Sequence, residues 1–294
     1  MTTVVIGLAP GERGAAASHL GAMIARSTGS PVVVAAITPT PWPPSLFGGD
    51  EEYLALQRSA AEEALARARE IVGTEAATYV VETARSVTDG LLAVTERSDS
   101  GLVVLGSGTS GLPGRVSLGS IAQRILHSLD TPVCFAPPDF AVPAGTRVGR
   151  ITVGFGRADT DSGLLAAALS RAAEFGIGLR VACFAVRPST FARGSIELDA
   201  EDLVVGEWAD QVRAEIRYAA TQAGADPESL EIVFGVGTSW DQAIGQLDWG
   251  PTDLLAIGAK TSAISRFLLG SHAAKIVKHS PVPVLTVARS SLDS

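Results

Sequence analysis

Two stretches, Gly106–Ser120 (GSGTSGLPGRVSLGS) and Gly258–Ser271 (GAKTSAISRFLLGS), decide how this 294-residue chain folds. Each opens with a glycine directly after an apolar run, Leu102–Leu105 in the first and Leu254–Ile257 in the second, and each closes with Gly-Ser at the head of an amphipathic segment. A strand, a glycine turn and a helix start present backbone N–H groups to a phosphate in α/β proteins. The two stretches therefore predict a duplicated α/β protein and mark where a ligand would bind.

The two halves of the chain match along their length. Val4–Gly7 corresponds to Ile151–Gly154, and the offset is far longer than the roughly 20–50 residues of a solenoid repeat. This spacing indicates duplication of a whole domain. We expect domains over residues 1–140 and 147–290, joined within Pro137–Gly149, where Pro, Ala and Gly replace the periodic pattern.

Strand-sized apolar runs alternate with helix-sized amphipathic segments in both halves. The second helix of the first half, for example, has apolar residues at helical spacing at Leu54, Ala61, Leu65, Ala68 and Val72. The strands are continuously apolar, as expected when helices cover both faces of a parallel sheet. The fold class predicted is α/β, with two tandem doubly wound parallel-sheet domains.

Composition and charge limit the classes of partner. With 23 Lys and Arg against 31 Asp and Glu, the net charge is −8, which disfavours nucleic acid and anionic membranes. The N-terminus lacks the basic region of a signal peptide, so we expect a cytoplasmic protein. Cys134 and Cys183 lie in apolar runs, which favours buried, reduced thiols over a disulfide or a redox pair.

The motifs of the two loops and of the segments that follow them resemble those of one family. The motifs are Ile264–Ser271 (ISRFLLGS), His279–Val284 (HSPVPV), Arg115–Ser120 (RVSLGS) and Thr131–Val133 (TPV). On these residues, the whole chain resembles the universal stress protein family, specifically its tandem two-domain members.

The resemblance implies a fold and a mode of action. The domains would be Rossmann-like, of the adenine nucleotide α-hydrolase type, and related by a pseudo-twofold axis. The last strands, Thr131–Ala136 and Val282–Val287, would meet at a seam with Cys134 nearby, so that one chain forms an intrachain pseudo-dimer. Pairing of two chains as a homodimer remains open. The implied function is stress response or growth regulation through binding, without an enzymatic reaction.

Nucleotide-binding members of this family carry glycine, two residues, glycine, nine residues, then glycine followed by Ser or Thr. They also carry an aspartate just after the first strand. In this chain the inner glycine is missing from both loops, with Thr109 and Thr261 at or near its place, and the second loop is one residue short. Ala9 and Gly156 occupy the aspartate positions. The resemblance therefore implies two incomplete nucleotide sites, more complete in the first half.

The ligand implied is an adenine nucleotide, ATP or AMP. The candidate residues are Gly106, Gly108, Gly119 and Ser120 in the first half, and Gly258, Lys260, Gly270 and Ser271 in the second. We expect Gly108 to restore backbone freedom in its loop and Lys260 to contribute a cation. The alternative is that each Gly-Ser pair is only a turn glycine and an N-cap serine.

No catalytic or metal motif is present. The sequence lacks HExxH, paired CxxC, GxSxG and a GxxxxGK[ST] P-loop, so we predict neither catalytic residues nor a metal site. Trp42 and Phe47, which follow the second strand, would cover a ligand or a partner, or pack on their own domain. Two other functions stay open: a nucleotide-hydrolysing enzyme on the same fold, and a protein-interaction module without a ligand.

Overall fold

The computed structural model describes residues 2–9, 14–40, 50–73, 76–108, 112–155, 162–187, 195–259 and 271–288. The first half contains β1 (Thr3–Leu8), α1 (Gly14–Thr28), β2 (Val32–Pro39), α2 (Asp50–Val72), β3 (Ala77–Ala84), α3 (Val87–Arg97), β4 (Ser100–Gly106), α4 (Ser120–Ser128) and β5 (Val133–Ala136). The second half contains β6 (Arg150–Phe155), α5 (Ser162–Phe175), β7 (Leu179–Val186), α6 (Ser195–Gln222), β8 (Glu231–Gly237), α7 (Trp240–Gly245), β9 (Asp253–Ala259), α8 (Ser271–His279) and β10 (Val284–Ala288). The predicted alternation of strands and helices is confirmed in both halves.

The strands form one ten-stranded sheet in the order β3-β2-β1-β4-β5-β10-β9-β6-β7-β8. Within each half all strands are parallel, and the order of the five strands is the same in both halves. The chain reverses its direction of winding between β1 and β4, which is where doubly wound sheets bind ligands. The predicted fold class is confirmed.

Two apolar cores lie on opposite faces of this sheet. One includes Leu20 of α1 and Leu165 of α5, and the other includes Ile125 of α4 and Ile244 of α7. Each core contains residues of both halves, so the halves share their packing. None of the helices in the described ranges is long and apolar enough to cross a bilayer.

The two halves meet where β5 and β10 pair antiparallel. Phe135 lies opposite Val284 and Cys134 opposite Leu285, which confirms the predicted seam. Beyond these pairs, the buried hydroxyl of Thr286 replaces a backbone partner. Its Oγ1 accepts from the N–H of Val133 at 3.1 Å and donates to the carbonyl of Val133 at 3.0 Å. The side chain of one residue thus satisfies both main-chain groups of another.

The two cysteines are buried free thiols, as the sequence indicated. Burial raises the pKa of Cys183 to about 12 and raises that of Cys134 as well. Both side chains are therefore neutral packing groups at physiological pH.

We expect Thr286→Val to lower the free energy of unfolding by about 1–3 kcal/mol, because valine keeps the volume but leaves the N–H and C=O of Val133 buried without a partner. Urea denaturation measures the change. Thr78→Val, on the exposed side of edge strand β3, is the control, with an expected change within about 0.5 kcal/mol. Equal losses in the two variants would show that the hydroxyl does not hold the seam.

Candidate functional site

A cavity of about 760 Å³ opens at the carboxyl edge of the first half of the sheet. The cavity is lined by the ends of three strands and the residues that follow them, namely Gly7–Ala9 of β1, Ala36–Pro39 of β2 and Leu105–Gly108 of β4. Residues of the N-terminal half of α2 and Gly119–Ala122 at the start of α4 complete the lining. The volume falls in the range of small-molecule sites, roughly 300–1,000 Å³. The structure therefore brings together all four candidate residues of the first half at one cavity. We call it the first-half cavity.

The N-terminus of α4 faces this cavity without a side-chain cap. Its N-cap residue is Gly119, which makes no side-chain cap hydrogen bond, and its first turn has no acidic residue. By contrast, α3 and α7 are capped by Ser86 and Ser239, which accept from backbone N–H groups at 3.1 Å and 3.2 Å. The first N–H groups of any helix lack intrahelical partners, so those of α4 offer donors to an anion.

Ser120 is the first helical residue of α4, and the N-cap is the glycine before it. The alternative that Ser120 is an N-cap serine is therefore wrong. Gly119 takes φ −71° and ψ 175°, an ordinary extended conformation. Because the N-cap is glycine, no side chain covers the N–H groups of the first turn of α4 where they line the cavity.

Gly108 and Gly119 hold the two ends of the loop against each other. The N–H of Gly108 donates to the carbonyl of Ser117 at 2.7 Å. A Cβ on Gly108 would lie 2.9 Å from the N of Gly119 and 3.0 Å from its Cα. We expected Gly108 to supply backbone freedom, and that is wrong: Gly114, at φ +65°, takes the left-handed conformation in this loop. Gly108 is needed for close approach.

The first-half cavity has no charged side chain among its described lining residues. Ala9 lines it at the end of β1, so a methyl group occupies the place where the family carries an aspartate. Two of the polar lining residues are already engaged: Thr38 bonds to the carbonyl of Glu82, and Ser107 donates to that of Ala136 at 2.7 Å. Hydrogen bonds to the polar groups of a ligand in this cavity would therefore come largely from backbone N–H and C=O groups.

The free edge of β2 supplies such backbone groups. Pairing of β2 with β1 ends at Ala36, opposite Leu8, whereas pairing with β3 continues to Pro39. Of the groups that point away from β3, the carbonyls of Ile37 and Pro39 therefore have no partner strand among the described residues, and Pro39 has no N–H. Nearby, the buried Oε1 of Gln57 has no hydrogen-bond partner within the described ranges. The sequence analysis missed Gln57 and the free edge of β2. The free edge can be found only by comparing where the pairing of β2 with β1 and with β3 ends.

A second cavity of about 770 Å³ lies beyond the loop and shares Ser107 and Gly108 with the first. Its lining includes the cationic side chains of Arg67 and Arg115. Arg115 also lies 3.7 Å from Asp241 at the start of α7, so the loop of the first half contacts the second half.

The second-half site is described only in part. Gly258 is a buried residue of β9, paired with Val287, and Ser271 begins α8. Several predictions lie outside the described residues, namely those on Trp42, Phe47, Thr109, Gly156, Lys260, Thr261 and Gly270. In the part of the chain that the structure describes, no group of three His, Cys, Asp or Glu residues is arranged to hold a metal.

Comparison with known proteins identifies the family. The model of the universal stress protein family matches residues 1–137 and 148–288. The chain belongs to this family. It is 33% identical over 291 residues to the universal stress proteins Rv2319c of Mycobacterium tuberculosis and Mb2346c of Mycobacterium bovis, covering 97% of this chain and 99% of each relative.

A solved structure shares the tandem fold. The crystal structure of a universal stress protein from Archaeoglobus fulgidus superposes with a TM-score of 0.59 at 15% sequence identity, covering 98% of each chain. At that identity the likeness establishes the fold alone. The predicted resemblance to tandem universal stress proteins is confirmed.

We expect Gly108→Ala to destabilise the protein by about 1–3 kcal/mol, because the added methyl group meets backbone atoms of Gly119 that cannot rotate away. Gly178→Ala is the matched control, since a Cβ there meets nothing within 4 Å. Thermal unfolding of both variants measures the difference. An unchanged midpoint for Gly108→Ala would contradict the close approach of the two glycines.

Proposed function

We propose that this protein acts in stress response or growth regulation by binding, without catalysing a reaction, and that its first domain binds an adenine nucleotide of the AMP type. The observation that carries the proposal is the uncapped N-terminus of α4 in the wall of a cavity of ligand size. A phosphate placed there accepts from the free N–H groups of the first turn and interacts favourably with the helix dipole.

The base would bind along the free edge of β2. The exocyclic amine of adenine is a donor, which suits the unpaired carbonyl groups of Ile37 and Pro39. The amine of the base, or a ribose hydroxyl, would also satisfy the Oε1 of Gln57. Because an unsatisfied buried acceptor costs about 1–3 kcal/mol, a ligand that supplies a donor gains part of that free energy.

A single phosphate suits the first-half cavity better than three. None of its described lining residues is a cation, and one helix N-terminus carries only about half a positive charge. The additional phosphates of ATP would have to reach Arg67 and Arg115 in the neighbouring cavity, and Arg115 already lies near Asp241. AMP avoids that requirement.

The absence of a reaction is part of the proposal. Nucleotide hydrolysis commonly needs a carboxylate that holds a metal ion beside the phosphates, and the described lining residues of the first-half cavity include none. The competing function is a nucleotide-hydrolysing enzyme. Steady phosphate release from ATP, absent in a variant with both Gly119 and Gly270 replaced, would favour that function.

In isothermal titration, we expect AMP to bind one site per chain at least about tenfold more tightly than adenosine. The difference is the charged hydrogen bonds of the phosphate, worth about 1.5–3 kcal/mol. We expect ATP to bind no more tightly than AMP. No heat with AMP up to millimolar concentration would overturn the proposal, and much tighter binding of ATP would overturn the preference for one phosphate.

We expect Ala9→Asp to increase the affinity for AMP by about tenfold, because the new carboxylate accepts hydrogen bonds from the ribose hydroxyls. The matched control is 2′,3′-dideoxy-AMP, which lacks those hydroxyls and should gain nothing. Titration of wild type and variant with both nucleotides gives the comparison. An equal gain for both nucleotides, or none for either, would place the ribose away from the end of β1.

A further inference from the structure

We propose that the physiological ligand of the first-half cavity is an AMP whose phosphate carries an apolar substituent, the chemical class of the acyl adenylates and of the alkyl phosphodiesters of adenosine. This inference rests on the proposed nucleotide site and specifies its ligand.

The charge of the cavity favours a substituted phosphate. AMP brings two negative charges at neutral pH, whereas an acyl phosphate anhydride or a phosphodiester brings one. No described lining residue is a cation, and the uncapped N-terminus of α4 supplies a positive potential equivalent to about half a charge. A singly charged phosphate therefore matches the site, while a second charge would be desolvated without a partner.

Exposed apolar side chains surround the mouth of the same cavity. Six large apolar side chains are exposed in the described ranges, and three of them line it: Tyr53 at 49%, Leu56 at 67% and Ile121 at 42%. A fourth, Leu112, lines the adjoining cavity. The two on the second half, Val204 and Tyr218, lie apart on α6. Clustering of exposed apolar groups at a cavity marks a binding surface.

The position of Ile121 indicates where the apolar group is attached. Ile121 follows Ser120 in the first turn of α4, directly beside the N–H groups that would hold the phosphate. Tyr53 and Leu56 project from α2 one helical turn apart, so they share a face at the same mouth. A substituent leaving the phosphate would therefore contact apolar side chains at once. The base, the phosphate and the apolar group would then each contact lining groups of matching polarity.

The experiment uses a series of stable probes: the methyl, butyl and hexyl phosphodiesters of AMP, titrated into the full-length protein. Each buried methylene contributes up to about 0.8 kcal/mol, close to fourfold in affinity. Because the mouth is partly open, we expect a smaller gain, about tenfold overall from the methyl to the hexyl ester. Equal affinities across the series would overturn the inference.

Variants of the exposed side chains locate the effect. Leu56→Ser and Ile121→Ser should remove most of the gain with chain length, which is measured in each variant as the ratio of its hexyl-ester affinity to its methyl-ester affinity. Val204→Ser, at a similarly exposed position on α6, is the control and should keep the full gain. A gain that survives in both cavity variants would place the chain elsewhere and contradict the proposed contact.

Two further outcomes separate this inference from the proposed function. If AMP binds but the hexyl ester binds no better, only the inference fails. If neither AMP nor any ester binds, the nucleotide site itself is refuted. Hexyl phosphate, which lacks adenosine, is expected to bind at least about tenfold more weakly than the hexyl ester; equal affinity would make the site one for lipid phosphates and overturn the adenylate class.

Discussion

The antiparallel contact between β5 and β10 determines how the rest of the molecule is arranged. It joins two parallel half-sheets into one ten-stranded sheet, and the Thr286 hydroxyl completes it where backbone pairing stops. Because strand direction reverses at this seam, the carboxyl edges of the two halves point in opposite directions. Any ligand sites at these edges would therefore be separate, while each apolar core includes residues of both halves.

The described helix N-termini differ in whether a side chain caps them. α3 and α7 are closed by serine caps, whereas α4 starts at a glycine and faces a cavity. Ala9 stands where the resemblance to nucleotide-binding members implies an aspartate, and the described lining of the cavity has no charged side chain. Main-chain N–H groups without ionic side chains would suit a ligand of low charge with an apolar part. Specificity would rest on shape and backbone polarity.

The sequence was sufficient for the fold and for naming residues that line the first-half cavity. Apolar periodicity reports burial, so the strands could be predicted from runs such as Val133–Ala136 and Val284–Val287. The match between the halves indicated the duplication, and the family resemblance implied the seam. The details of the loop could not. Gly108 is required because Gly119 approaches it, and that contact between residues 11 positions apart depends on the folded loop. The free edge of β2 likewise depends on where β1 ends beside it.

Amide chemical shifts in the uniformly ¹⁵N-labelled protein, recorded during titration with AMP, test the central claim most directly. If the uncapped α4 N-terminus holds the phosphate, the largest changes occur at the N–H groups of Ser120, Ile121 and Ala122, with Gly108 also affected. If those amides stay unchanged while others respond, AMP binds elsewhere and the assignment of the site is wrong.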